Sequence, residues 1–141
     1  MTTQHEDAAK VALRSLDAME RRDLDEARAC FAAVFTMVFP GPAEFKDLDA
    51  MVAASASRYR SIAKHIEATE AFNGGGAAGT SGDRDHVSVV YVRGTLLGVN
   101  LHGVPFEGVR FIDRFEVQGG LIRRQDVWND LSESGVLARY A

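Results

Sequence analysis

The stretch GVRFIDRFEVQGGLIRRQDVWNDL, residues 108–131, decides the fold of this chain because it predicts two strands joined by a glycine pair. Gly119 and Gly120 permit a tight two-residue turn, whose central residues need a positive φ. Every second residue of a strand shares one face of the sheet. On one face the first strand carries Val109, Phe111, Asp113, Phe115 and Val117. The pattern therefore places a carboxylate, Asp113, in an apolar face, where a charge is costly unless it is partnered or protonated.

The length of the turn decides which residue lies opposite Asp113. A two-residue turn predicts that Asp126 does. The face shared by the two aspartates then also carries Arg124, Phe111 and Trp128. A three-residue loop with a bulge would instead place Gln125 opposite Asp113, and it would set Arg114 against Arg124, a like-charge contact that costs stability. The two-residue turn is the preferred interpretation.

Two carboxylates that face each other across a partly apolar cleft cannot both ionise cheaply, so one of the two pKa values should rise. A carboxyl group of that kind suits general acid–base catalysis near neutral pH. Arg124 could keep one partner ionised. The competing interpretation is structural, in which an Asp–Arg pair closes the edge of the sheet. Asp113 and Asp126 are therefore the candidate catalytic residues.

The bulk composition fits a single globular domain over residues 1–141, with 46% hydrophobic residues and a net charge of −4. No basic run points to nucleic acid, and no apolar run approaches the roughly 18 residues that span a membrane. The polar N-terminus is unlike a signal peptide. A single cysteine, Cys30, allows no internal disulfide and fits the cytoplasm. The four histidines lack the spacing of metal ligands, so no metal is expected.

Helical patterns fill the first third of the chain, and strand patterns follow. An apolar stripe predicts a helix over residues 7–21, and Asp23 with Glu26 predicts a capped second helix through Phe31. Asp47 can cap a third helix, which includes Tyr59. Strands are expected at residues 35–39, 66–72 and 86–97, and a glycine-rich loop is expected at 73–85. Helices followed by strands predict an α+β fold, with helices on one face of a sheet.

This order of elements, ending in the quoted stretch, resembles the SnoaL-like branch of the nuclear-transport-factor-2 (NTF2) superfamily over about residues 8–131. The resemblance implies a cone-shaped fold, in which a curved antiparallel or mixed sheet wraps around N-terminal helices and encloses one pocket. In the ketosteroid isomerases of this superfamily, an oxyanion-binding aspartate corresponds to Asp113. Their general base and their tyrosine fall on Phe39 and about Ser15 here, which argues against that isomerase reaction.

In two other branches of the superfamily, a catalytic aspartate resembles Asp126 in its position. In SnoaL-type polyketide cyclases a late-strand acid–base aspartate looks similar to Asp126, although the usual His-Trp pair is Arg124-Gln125 here. In limonene-epoxide hydrolases an Asp-Arg-Asp set activates water. Asp126 and Asp113 match its aspartates, but Phe111 stands where the arginine belongs.

The leading hypothesis is a cofactor-independent acid–base enzyme of the cyclase, isomerase or dehydratase type that acts on an apolar carbonyl substrate. Its expected substrate-binding residues are Arg124, Trp128, Phe111, Phe39 and Tyr59. The alternatives are an epoxide hydrolase and a non-catalytic module for ligand binding or dimerisation. The resemblance also implies a homodimer through the outer face of the sheet.

Overall fold

The computed structural model describes residues 3–74 and 86–137. Most of the predicted loop at 73–85 and the end of the chain from residue 138 therefore lie outside the described residues. The helices are α1 (Thr3–Glu20), α2 (Leu24–Ala29), α3 (Leu48–Ala56) and α4 (Leu131–Ser134). The strands are β1 (Phe31–Phe39), β2 (Ala43–Phe45), β3 (Tyr59–Asn73), β4 (Val87–Asn100), β5 (Pro105–Gln118) and β6 (Leu121–Asn129).

The described strands form one curved, open sheet in the order β2-β1-β6-β5-β4-β3. Neighbouring strands are antiparallel except β1 and β6, which run parallel, so the sheet is mixed. Helix α1 packs against β3 and β4 and also contacts β5 and β6, so one face of the sheet is covered. We call this covered face the inner face and the opposite one the outer face. The predicted α+β architecture is confirmed.

Helices α2 and α3 begin where the sequence predicts caps. The carboxylate of Asp23 accepts a hydrogen bond from the backbone N–H of Glu26 at 3.2 Å. The carboxylate of Asp47 accepts one from Asp49 N–H at 2.9 Å. Each contact satisfies a backbone donor that the first helical turn would otherwise leave unpaired. No helix in residues 3–74 and 86–137 is long and apolar enough to cross a membrane.

Several predicted element boundaries are wrong, and two of them move a residue from a helix to a strand. Residue Phe31, expected at the end of the second helix, begins β1. Residue Tyr59, expected on the third helix, begins β3, because α3 ends at Ala56 with Ser57 as its cap. In both places a short apolar run fits a helix or a strand equally well, and pairing within the sheet decides the outcome.

The predicted alternation of residues between the two faces of the sheet is confirmed in β5. Its buried residues are Val109, Phe111, Asp113, Phe115 and Val117, all on the inner face. They pack with apolar side chains of α1, β1 and β4 in a single core. Gly119 and Gly120 form the tight turn with φ values of 60° and 78°.

A bulge in β6 overturns the predicted pairing of the aspartates. Next to the turn, Val117 lies opposite Ile122 as predicted, but Glu116 lies opposite Arg124, so Arg123 is the extra residue. An extra residue on one strand shifts every later pair and reverses the faces relative to a regular ladder. As a result Val127 lies opposite Asp113. Neither Asp126 nor Gln125, the two partners considered from the sequence, occupies that position.

Candidate functional site

An internal cavity lies between the inner face of the sheet, helix α1 and helix α3. It consists of two adjoining hollows of about 70 and 50 Å³. Both hollows are lined by Phe39, Ser55, Tyr59, Ile62, Lys64 and Val127. The larger also touches Ser15 and Gln125, and the smaller also touches Phe111 and Asp113. We call the two hollows together the inner cavity.

Asp113 lies in the wall of the smaller hollow and is completely buried. Strand β5 holds it between Phe111 and Phe115, which are also buried. Its Oδ2 is 3.5 Å from Nε2 of Gln125, a long hydrogen bond. Its Oδ1 has no hydrogen-bond partner among the residues that the structure describes. A buried carboxyl oxygen without a partner is costly, and such atoms often mark functional sites.

Lys64 of β3 extends toward this carboxylate. Its Nζ is 3.8 Å from Asp113 Oδ2 and 5.2 Å from the centre of the Phe111 ring. The Lys64 side chain is 25% exposed, so it joins the buried acid to the open part of the cavity. The backbone N–H of Lys64 donates to a carboxylate oxygen of Glu20 at 2.8 Å, which fixes β3 against the end of α1. The inner cavity thus contains an acid and an amine side by side.

Burial raises the pKa of the Asp113 carboxyl above its ordinary value, because a carboxylate removed from water is unstable. The positive charge of Lys64 and the hydrogen bond from Gln125 lower this pKa, but burial has the larger effect. Both contacts are long, so they compensate the charge only in part. The net result is a carboxyl group that holds its proton to higher pH than an exposed aspartate does.

Three of the predicted site residues line the inner cavity with Asp113. Phe111 lies beside it on β5, and Phe39 and Tyr59 touch both hollows. Tyr59 reaches the cavity from the start of β3 rather than from a helix. Ser15, which stands at about the position of the isomerase tyrosine, also lines the larger hollow, and its hydroxyl donates to the Ala12 carbonyl at 2.7 Å.

The other three predicted residues do not share this cavity. Asp126 lies opposite Arg114, on the outer face, and its carboxylate accepts hydrogen bonds from Arg124 at 2.9 and 3.0 Å. Trp128, opposite Ile112, is also on the outer face and is 51% exposed. The prediction that Asp126, Arg124 and Trp128 form one patch with Asp113 is therefore wrong. The bulge at Arg123 is the physical reason, since it exchanges the faces of the residues that follow it.

A larger space adjoins the inner cavity between α3, β1 and β2. It measures about 350 Å³ and shares Phe39, Ser55 and Arg58 with the smaller hollow. Its wall also includes Phe45, whose ring packs edge-on against Phe39 at a centroid distance of 5.7 Å. We call this space the antechamber. An apolar cavity of about 150 Å³ is needed to hold a benzene ring, so a ring fits the antechamber, whereas the hollows fit only a small functional group.

Lys64 and Gln125 line the inner cavity, but they were not predicted from the sequence as site residues. The spacing of two residues between Ile62 and Lys64 could have indicated Lys64, since alternate strand residues share a face and both of these line the cavity. For Gln125 the sequence gives no local signal, because its face depends on the bulge. In residues 3–74 and 86–137, no group of three or more His, Cys, Asp or Glu side chains is placed to hold a metal ion.

Comparison with known proteins shows the fold. No protein-family model matches the sequence, and curated proteins gave no significant match. Among solved structures, an NTF2-like protein of unknown function from Burkholderia pseudomallei is similar with a TM-score of 0.73 and 15% identity. The match covers 94% of this chain and 98% of that one.

Two further structures have names that suggest activities. A candidate SnoaL-like polyketide cyclase from Jannaschia is similar with a TM-score of 0.70 and 15% identity, covering 100% of this chain and 98% of that one. An epoxide hydrolase of the limonene-epoxide-hydrolase-like kind from M. tuberculosis gives a TM-score of 0.66 and 15% identity, covering 95% and 92%. At these identities the similarity shows a shared fold only. The activity has to be inferred from the residues of the cavity.

Proposed function

Starting from a chain with the NTF2-like fold, we propose that this protein is a cofactor-independent acid–base enzyme that acts on a small carbonyl compound with an apolar body. The observation that carries the proposal is the completely buried Asp113, with one unpartnered oxygen, beside Lys64 in the cavity wall. A raised carboxyl pKa brings this group closer to neutral pH, where an acid–base catalyst works best.

The chemistry assigned to the pair is the removal of a proton from the carbon next to the carbonyl group. The C–H bond breaks, the proton moves to the Asp113 carboxylate, and the electron pair moves onto the carbonyl oxygen as an enolate. The ammonium group of Lys64 stabilises the negative oxygen. Asp113 then returns its proton to a different carbon of a conjugated enolate, as in an isomerase. In a cyclase the enolate carbon instead attacks a second carbonyl carbon of the same substrate, the π bond of that C=O breaks, and Asp113 gives its proton to the alkoxide that forms. In this scheme Asp113 takes the acid–base role that the sequence analysis gave to Asp126.

The volumes support a particular mode of binding. The carbonyl end of the substrate would enter the hollow beside Asp113, which measures about 50 Å³. The apolar body would occupy the antechamber of about 350 Å³, against Phe39 and Phe45. Phe111 and Tyr59 would keep water away from the reacting atoms. A large polycyclic compound would not fit the inner cavity in this structure, so the proposal favours a substrate with one or two rings.

Epoxide hydrolysis has less support. It would need a second carboxylate and an arginine around the attacking water, as the resemblance implies. Asp126 lies on the outer face, and Phe111 occupies the position of the arginine.

The proposal is tested by proton exchange. Ketones graded in size from acetone to phenylacetone are incubated with the protein in D₂O, and the loss of the α-proton signals is followed by NMR. We expect the wild type to accelerate exchange of at least one ketone, and Asp113→Asn to lower that rate at least about a hundredfold. Asparagine has the same shape but cannot accept the proton. Equal rates in the two proteins, or no acceleration by the wild type, would contradict the enzymatic proposal.

As part of the same proposal, we expect two copies of the chain to pair through the outer face in the cytoplasm. Two large apolar side chains on that face, Phe72 and Trp128, are each 51% exposed, and a second copy packed on this face would remove them from water, which favours association. Light scattering of the wild type and of Trp128→Ser would test the pairing, with a monomeric wild type as the contradicting result.

A further inference from the structure

Arg58 stands where the inner cavity meets the antechamber. It follows α3 directly, and its backbone N–H donates to the Ser55 carbonyl at 2.9 Å, which fixes the main chain at this point. Arg58 lines both the smaller hollow and the antechamber, and it is half-buried. A ligand that extends from the antechamber toward Asp113 would therefore pass Arg58.

This guanidinium has no protein partner within residues 3–74 and 86–137. Most arginines in that part of the chain form ion pairs; Arg28, for example, binds Asp25 and Asp49. Arg58 forms no side-chain hydrogen bond and no ion pair there, although burial removes part of its water shell. A half-buried cation without a partner costs free energy that a bound anion would recover.

The charges around the cavity favour an anion as well. Arg22, Arg58 and Lys64 supply positive charge to the connected spaces, and Glu20 and Asp113 supply negative charge. Positive charge that the protein itself does not neutralise raises the local concentration of anions.

We propose that the ligand of this protein carries a carboxylate, and that Arg58 binds it. The guanidinium offers parallel N–H donors that match the two oxygens of a carboxylate. Phe39 and Tyr59 lie beside Arg58 in the wall of the smaller hollow and would contact the apolar part of the same molecule. The ligand class is thus an aryl or alkyl carboxylic acid, and for the proposed reaction a keto acid. The inference rests on the proposed function only in taking this cavity as the substrate site.

A matched pair of ligands tests the inference without any turnover. Cinnamate and cinnamamide have the same shape, and only cinnamate is charged. Each is titrated into the full chain, and dissociation constants are taken from backbone NMR shifts. We expect the wild type to bind cinnamate about tenfold more tightly or better, since a hydrogen bond to a charged group contributes that much. Arg58→Met should weaken the binding of cinnamate about tenfold and so remove the preference, with a smaller effect on cinnamamide, whose neutral amide gains less from the guanidinium.

Two controls make the result specific. Arg60→Met alters a neighbouring, exposed arginine that lines neither hollow nor the antechamber, and it should keep the wild-type preference. Arg110→Met alters a groove of about 450 Å³ on the outer side of the sheet, next to Trp128, and should also keep it. Arg58→Gln is a second neutral variant in case Arg58→Met does not fold.

The inference is overturned by any of four results. In the first two, the wild type fails to bind cinnamate up to its solubility limit or binds both ligands equally. The Arg58 variants could retain the preference, or Arg110→Met could abolish it, which would place the anion in the outer groove. A protein that prefers cinnamate through Arg58 but does not exchange ketone protons would keep the carboxylate site and disprove the proposed enzymatic reaction.

Discussion

Lys64 reaches Asp113 across an intervening strand, with its Nζ 3.8 Å from the carboxylate oxygen. The two residues belong to β3 and β5, which β4 separates in the sheet. On β4 the residue opposite Lys64 is Leu96, and the one opposite Asp113 is Val92. Both apolar residues are buried, so the surroundings of the pair give the Asp113 carboxylate little other stabilisation. The pKa of Asp113 therefore depends on burial, on the charge of Lys64 and on the long hydrogen bond from Gln125.

The stability of the protein should depend on pH through Asp113. Its pKa is higher in the folded chain than the ordinary value of 3.8, so the folded chain keeps a proton that the unfolded chain releases. The free energy of unfolding should therefore fall as the pH rises from about 4 to the folded pKa, and then level off. Urea unfolding from pH 4 to 8 would show Asp113→Asn gaining stability relative to the wild type with rising pH. A difference that does not change with pH would argue against a raised pKa.

Replacing Lys64 by methionine should raise the pKa of Asp113 further, because the lysine charge is what opposes the effect of burial. A ¹³C NMR titration of the Asp113 carboxyl would measure this shift. If Lys64 stabilises the enolate, exchange of ketone protons should also fall by about a hundredfold. Lys46→Met is the control, since Lys46 is exposed and pairs with Glu44 outside the cavity. An unchanged Asp113 titration in Lys64→Met would mean that the two groups are not in contact in solution.

Asp126→Asn should leave proton exchange unchanged, although Asp126 was the leading catalytic candidate from the sequence. Its carboxylate binds Arg124 on the outer face, where the Asp126 side chain is 13% exposed and the Arg124 side chain 43%. Because this carboxylate is largely buried and also lies 3.8 Å from Arg114, urea unfolding should detect a loss of about 1–3 kcal/mol. If exchange were lost while the fold remained intact, β6 would have the regular register and not the bulged one.

Gly94→Ala should destabilise the fold strongly. A Cβ at residue 94 would lie 1.9 Å from the backbone oxygen of His65, because β3 has a bulge just beyond that residue. Backbone cannot move aside as a side chain can, so we expect a loss of about 3 kcal/mol or more in urea unfolding. Gly108→Ala is the matched comparison: its Cβ meets nothing within 4 Å, and only the φ of 74° is unfavourable, at about 1 kcal/mol. Similar losses in both variants would show that the clash is relieved.

The burial of Asp113 could be predicted from the sequence because it depends on local geometry. Strand residues alternate between faces regardless of the rest of the fold, and Gly119 and Gly120 report the turn directly. The partner of Asp113 could not be predicted in the same way. It depends on a single bulge at Arg123, and the adjacent Arg123 and Arg124 give no sign of which one leaves the ladder. Because this bulge was not recognised, the sequence prediction placed Asp126 on the inner face, whereas it lies on the outer face.

The position of Lys64 shows a different limit. Tyr59, an apolar residue before it, was expected on the third helix, and the strand was expected to begin at residue 66. A short apolar run after a helix fits either structure, and long-range pairing with β4 decides in favour of the strand. Because the first half of β3 went unrecognised, the cation beside Asp113 went unrecognised with it.

The parallel pairing of β1 with β6 has a consequence for how the protein folds. These strands are neighbours in the sheet although most of the chain separates them, and Ile122 N–H donates to the Cys30 carbonyl at 2.8 Å where they meet. Contacts between distant parts of a chain are slow to form, since a long loop must close before they can stabilise anything. Met37 and Gln125, which are paired across this junction, both line the larger hollow. We therefore expect the ligand site to be assembled last, so that ligand binding during refolding would report completion of the whole sheet.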